Sequence, residues 1–156
     1  MPSTSLQNLL PLMAGTGSAL VGGFYIAFSV VTMPALRHRP PREAVAAMMA
    51  INEQALKPPF MALFFGTAAA CGAVAVTGAS QQPLGLAGAA AYLAGWALTM
   101  AINVPRNSRL LTHGPGNPDV EWNRFQRSWV PANHLRAGLS AAGAVAMLVP
   151  VSQSWP

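Results

Sequence analysis

Four apolar stretches, each about 20 residues or longer, dominate this chain: Leu9 to Met33, Pro59 to Gly78, Leu84 to Val104, and Ala132 to Val151. A helix rising 1.5 Å per residue needs about 20 residues to cross a hydrocarbon core about 30 Å thick, so each stretch predicts a transmembrane helix. With only 8% charged residues in 156, against about a quarter in soluble domains, the chain reads as one integral membrane domain, residues 1–156. The expected fold is an all-α, antiparallel four-helix transmembrane bundle with short interfacial helices in two loops. No Lys or Arg precedes Arg37, so the first stretch lacks the basic region of a cleaved signal and reads as a retained span.

All nine basic residues fall in two loops: Arg37, Arg39, Arg42 and Lys57 in the first, and Arg106, Arg109, Arg124, Arg127 and Arg136 in the second. The positive-inside bias predicts that both loops are cytoplasmic and both termini outside, in the inner (cytoplasmic) membrane of a cell. The pI near 10.8 then reflects topology and contact with membrane lipid, and nucleic acid is not an expected partner. Cys71 is the single cysteine, which excludes a disulfide within the chain and a paired-cysteine redox motif.

Prolines bracket the stretch Arg42 to Leu56, which predicts a short surface helix. Its apolar stripe, Val45, Met48, Met49 and Leu56, contains one polar member, Asn52. In the second loop, HGPGNP (His113 to Pro118) predicts a turn, followed by a separate helix capped by Asp119 and carrying Trp122, Phe125 and Trp129 on one face. Those aromatics suit either an interfacial belt or a wall for a flat aromatic ligand. Rows of small residues four apart, Gly15, Ala19, Gly23 and Ala27 in the first span and Ala87, Ala91, Gly95 and Thr99 in the third, predict close helix packing with Gly23 and Gly95 at the nearest approaches. They also allow a homo-oligomer. Ser80 to Pro83 predicts a tight turn between spans two and three.

The chemistry-bearing residues gather at two helix ends. The third span runs into NVPRN, with Asn103 on the packed row and Asn107 one turn beyond if the helix survives Pro105. The fourth opens with SWVPANHLR, placing Asn133, His134 and Arg136 in its first turns. Polar groups at membrane depth need partners, so Asn103, Asn107, Asn133, His134 and Arg136 are expected to converge, with Asn52 facing the same cavity. His38 and His113 lie among loop charges and read as solvated.

FSVVTMPALR, MMAIN with KPPF, NVPRN, and a Trp followed by NHLR resemble the anthrone oxygenase-like family of small four-span membrane proteins. The resemblance runs from about Gly15 to Leu148, and its most specific part is the pair NVPxN and NHxR. The family typically has Trp directly before Asn-His, whereas Trp129 here is followed by Val130, Pro131 and Ala132. The resemblance implies oxidation of an anthrone-type polycyclic aromatic, or a related hydrophobic substrate, by O2 without a cofactor. In that chemistry His134 is the natural base. Arg136, Asn103, Asn107 and Asn133 are the donors to a developing enolate, and Asn52, Trp122, Phe125 and Trp129 are the substrate contacts. No nucleotide-binding glycine loop, cysteine pair or HExxH spacing occurs. A metal on His134 with Glu53 or a second histidine is an open alternative. So are a non-catalytic binding or assembly subunit and a transporter, although midspan residues carry no charge and no broken helix pair.

Overall fold

A computed structural model of the chain describes residues 3–78 and 82–153, with side chains from Asn8 onward. Of the expected turn at Ser80 to Pro83, Ser80 and Gln81 lie outside the described residues. The helices are α1 (Ser3–Ala27), α2 (Met33–Arg37), α3 (Pro41–Ala55), α4 (Pro58–Thr77), α5 (Pro83–Leu98), α6 (Val104–His113) and α7 (Pro118–Gln153). No strand occurs among the described residues. Two π-helical turns, Phe28–Thr32 and Thr99–Asn103, join α1 to α2 and α5 to α6.

Proline sets most of these starts. Pro41, Pro58, Pro83 and Pro118 are each the first residue of their helix, where a missing N–H costs nothing. Helix α4 ends on Gly78 at φ 62°, the left-handed conformation that glycine tolerates best. Four continuous helical runs, Asn8–Arg37, Pro58–Thr77, Pro83–His113 and Pro118–Gln153, are long and apolar enough to cross a membrane. The chain is thus a multi-pass membrane protein built as a four-helix bundle.

Both π turns solve the same problem. Pro34 and Pro105 would each press a ring against the carbonyl four residues back in a regular α-helix. In the π turns the hydrogen bonds lengthen by one residue instead, from Met33 N–H to the Phe28 carbonyl and from Val104 N–H to the Thr99 carbonyl. In both places five π residues, one further residue and then proline follow in sequence, FSVVT-M-P and TMAIN-V-P. The helix therefore continues past Pro105 rather than ending there, and Asn107 stays on it. Such π insertions recur at functional sites.

Helix α7 lies against both α1 and α5, with α4 completing the bundle against those two. A Cβ on Gly88 would stand 2.7 Å from the Gly143 carbonyl oxygen, and one on Gly143 would stand 2.8 Å from the Gly88 carbonyl oxygen. A Cβ on Gly22 would meet Ser140 Cβ at 3.1 Å. Ser18 adds a hydroxyl donated to the Ser140 carbonyl, 2.8 Å away. Tyr92 likewise donates its hydroxyl to the Phe64 carbonyl at 3.2 Å, tying α5 to α4.

Three expectations need correction. Gly23 faces outward, and a Cβ added there would meet nothing within 4 Å, because the buried face of α1 carries Ala14, Ser18, Val21 and Tyr25, one residue out of phase with the expected row. Gly95 is a contact, 3.5 Å from Leu139 Cβ, but not the closest one. Finally, the expected helix from Asp119 to Trp129 is not separate, since α7 is one 36-residue helix that carries Pro131 inside it, with Asp119 within its first turn rather than capping it. Helix α3, by contrast, forms where the bracketing prolines place it.

Candidate active site

Arg136 is the centre of the polar cluster. It sits on the face of α7 turned towards α1 and α5, and it is buried, 6% exposed. Its Nε and Nη2 both donate to Asn133 Oδ1, at 3.1 and 2.8 Å, one turn back on the same helix. Nη1 donates to Thr99 Oγ1 in the second π turn, at 3.4 Å. The guanidinium carbon lies 3.9 Å from the Tyr25 ring centroid and 5.1 Å from that of Trp129, so two aromatic faces stabilise the cation.

No carboxylate does. The ion pairs among the described residues are those of Glu121, with Arg109 and with Arg124, both at 2.8 Å. A buried cation without an acid is costly unless an anion joins it.

Asn133 ties this cation to the first π turn, donating through Nδ2 to the Tyr25 carbonyl and to Ser29 Oγ, each at 2.9 Å. Ser29 Oγ is also 2.9 Å from His134 Nδ1. Since Ser29 accepts from Asn133, its own proton is free to go to that imidazole nitrogen. A hydrogen-bonded line thus runs Arg136, Asn133, Ser29, His134, from the bundle interior to its outer surface.

The guanidinium borders a cavity of about 130 Å³. Phe24, Tyr25 and Phe28 line one side, α3 covers it with Met48, Ile51 and Asn52, followed by Leu56 just past its end, and Phe60 and Phe64 of α4 close another. Thr99, Val104 and Asn107 of the third span complete it with Trp129 and Arg136. Its walls are largely aromatic and aliphatic. Yet three lining residues hold buried polar atoms with no hydrogen-bond partner: Asn52 Nδ2, Asn107 Oδ1 and Trp129 Nε1. Unpaired buried groups cost about 1–3 kcal/mol each, and of the five such side-chain atoms among the described residues, three belong to residues around this space, the other two being Trp96 Nε1 and Asn103 Oδ1.

The expected residues therefore divide. Asn52, Asn107, Trp129 and Arg136 share the cavity. Asn133 stands behind it, holding Arg136 in place. Asn103 is fully buried and donates to the Trp129 carbonyl at 3.4 Å, which makes it a support for the Trp129 wall. Trp122 and Phe125 are 3% exposed and lie outside the lining. They stack on each other at 5.7 Å, and Phe125 on Trp129 at 5.4 Å, forming an internal aromatic core with Leu110, Val45 and Met48 rather than an interfacial belt or a ligand wall.

His134 does not reach the cavity. Its side chain is on the exposed side of α7, and its contact with the site runs through Ser29 and Asn133. The lining contains no His, Asp, Glu, Lys or Cys. Among the described residues no three His, Cys, Asp or Glu side chains cluster as a metal site would require. His38 and His113 are exposed.

Sequence reasoning misses Tyr25, Ser29 and the phenylalanines Phe24, Phe28 and Phe60. A signal for them exists in the matched FSVVTMP and TMAINVP segments, whose prolines force both helices to widen at the residues that meet Arg136 and Asn133.

Glu121, beyond the membrane-spanning part of α7, ties α6 to α7. It accepts Arg109 Nε and Nη2 at 2.8 and 2.9 Å, and Arg124 Nη1 at 2.8 Å. The Arg109 hydrogen bonds, reinforced by the charges of Arg109, Arg124 and His113, hold its carboxyl below the usual glutamate range.

Compared with known proteins, the chain matches no curated protein and no solved structure. The sequence model of the anthrone oxygenase family matches residues 47–146, a stretch that contains Asn52, Asn107, Trp129, Asn133 and Arg136 and more than half of the chain, and the chain belongs to that family.

Proposed function

We propose that the protein oxidises an anthrone-type or related hydrophobic phenolic substrate with O2, and that the Arg136 cavity is where the reaction occurs. The observation that carries this reading is the buried guanidinium with no acid partner, set in an aromatic cavity with three unpaired polar atoms. An anthrone becomes reactive towards O2 when its ring CH2 loses a proton, because the enolate formed is electron-rich. A preorganised cation in a low-dielectric site stabilises that anion.

The chemistry balances without an external reductant. Loss of a proton gives the enolate, which passes one electron to O2, and the radical pair joins to form a C–O bond. The peroxide takes up a proton and loses water, so CH2 becomes C=O while one O2 enters and one water leaves. Both electron pairs that reduce O2 come from substrate C–H bonds.

Within this scheme Arg136 receives the enolate oxygen. Thr99 and Asn133 fix the guanidinium, and Asn52, Asn107 and Trp129 offer hydrogen bonds to further substrate oxygens. An amide can present either its oxygen or its nitrogen, so Asn52 and Asn107 suit a hydroxyl or a carbonyl equally. A cavity near 150 Å³ accommodates a benzene ring. This one, at about 130 Å³, takes the oxygen-bearing edge of a larger substrate and leaves the remaining rings at the mouth beside Leu56 and Val104. With no His, Asp, Glu, Lys or Cys on the wall, the proton leaves to water at that mouth, and His134 acts only through Ser29 and Asn133.

The absence of His, Asp, Glu, Lys and Cys from that wall favours a second reading, a carrier of anionic aromatics that does no chemistry. Oxygen uptake by the purified protein with an anthrone distinguishes the two. Enzyme turnover should fall about 100- to 1,000-fold in Arg136→Gln, the scale of a lost oxyanion donor, and about tenfold in Asn107→Ala, while His134→Ala keeps most of it. Tight anthrone binding with no oxygen uptake would support the carrier, and full activity in Arg136→Gln would remove the clamp.

A further inference from the structure

A second cleft opens on the outer side of the bundle, where α6 meets α7 at the end that carries the basic residues. It holds about 550 Å³ and is lined by Arg106, Val120, Asn123, Arg124, Arg127 and Ser128. It shares no residue with the Arg136 cavity. We propose that this cleft binds the phosphate headgroup of an anionic phospholipid.

Three arginines converge here from two helices, and they are held apart in charge. Arg124 gives Nη1 to Glu121, which fixes its position while leaving the rest of its fork available. Arg106 and Arg127 have no carboxylate partner among the described residues. Guanidinium groups suit phosphate oxygens because their N–H donors match a tetrahedral anion in pairs. Asn123 and Ser128 supply smaller polar groups on the same wall, each already oriented, by the Asp119 carbonyl at 2.9 Å and the Arg124 carbonyl at 3.2 Å.

Location selects lipid over a soluble anion. Arg106 follows the apolar third span within two residues of Val104, and Arg127 precedes the apolar part of α7 at Ala132 by little more than a turn. The cleft therefore lies at headgroup level, open to the side. Val120, 49% exposed, adds an apolar surface that free phosphate would not use. Two unpaired arginines at such a surface are worth about a fivefold gain in binding each.

The test uses the full-length protein, stripped of lipid in a neutral detergent and titrated with phosphatidylglycerol or phosphatidylcholine while bound lipid is counted by native mass spectrometry. Phosphatidylglycerol should bind the wild type, and Arg106→Gln with Arg127→Gln should weaken it about 10- to 30-fold without changing the weak binding of phosphatidylcholine. Arg39→Gln, a basic residue at the same end but outside the cleft, should stay within twofold. Arg106→Lys with Arg127→Lys keeps the charge and loses the paired donors, so it should fold and bind phosphatidylglycerol with an affinity between those of the wild type and the double glutamine variant, which separates charge from structural damage. Equal phosphatidylglycerol binding by the double glutamine variant overturns the site. Inorganic phosphate that binds as tightly as the lipid overturns the lipid assignment in favour of a soluble anion.

Discussion

Asn133 Oδ1 accepts two hydrogen bonds from the Arg136 guanidinium, at 3.1 and 2.8 Å, while the amide nitrogen of the same side chain reaches across to Tyr25 and Ser29. One asparagine thus positions the cation and joins the first span to the fourth. Asn133→Ala leaves guanidinium N–H groups unpaired and should destabilise the protein by about 1–3 kcal/mol. Turnover should drop about 10- to 100-fold while the variant remains folded. Thermal unfolding monitored by helical circular dichroism, with oxygen uptake on the same preparation, measures both.

The Gly88 and Gly143 backbones approach too closely for a side chain. Gly88→Ala should cost about 1–3 kcal/mol, because a methyl group there meets backbone that cannot turn aside. Gly23→Ala should be neutral or mildly stabilising, by up to about 1 kcal/mol, since its position is open and alanine favours helix. Unfolding of the two variants in the same detergent gives the comparison, and equal losses would contradict the packing.

Span number and the position of α3 are legible in the sequence, because hydrophobic length and proline act locally. Helix phase is not, because in lipid almost every side of a span is apolar and small residues occur on several faces, so Gly23 and Gly22 cannot be told apart by pattern. The expected site assembles in part for a related reason. Asn133, His134 and Arg136 are neighbours in sequence but radiate around a helix, so Arg136 faces inward, Asn133 bridges to the first span and His134 ends on the outside. No separate helix forms at Asp119 to Trp129 because Pro131, which disfavours helix locally, is carried inside α7 by the packing on either side of it.

Glu121 predicts a pH dependence. Its folded-state carboxyl is held low, first by hydrogen bonds from Arg109, so its contribution to stability is fully present above the unfolded glutamate value of about 4.3 and is lost as pH falls through the lower folded value. Thermal midpoints measured from pH 6 down to pH 3 should fall more steeply for the wild type than for Glu121→Gln. Parallel curves would remove the carboxylate from the α6–α7 junction.

The charge distribution predicts orientation, with eight of the nine basic residues between the spans on the cytoplasmic side and the ninth, Arg136, at the same end of the fourth span. A cysteine at Ser80, in a Cys71→Ser background, should react with an impermeant thiol reagent applied to whole cells, and one at Gly116 should not. The reverse pattern would invert the topology.

The central claim is that Arg136 stabilises a bound aromatic anion, and the most direct measurement is the ionisation of the ligand itself. A hydroxylated anthraquinone changes colour when its phenol ionises, so its apparent pKa can be read by absorbance while bound to the protein. Bound to the wild type, that value should fall about 1–3 units below its value in detergent alone, the shift expected for a nearby opposite charge. In Arg136→Gln that fall should vanish, although the ligand is still bound. A bound ligand that ionises at the same pH in wild type and Arg136→Gln would contradict the account.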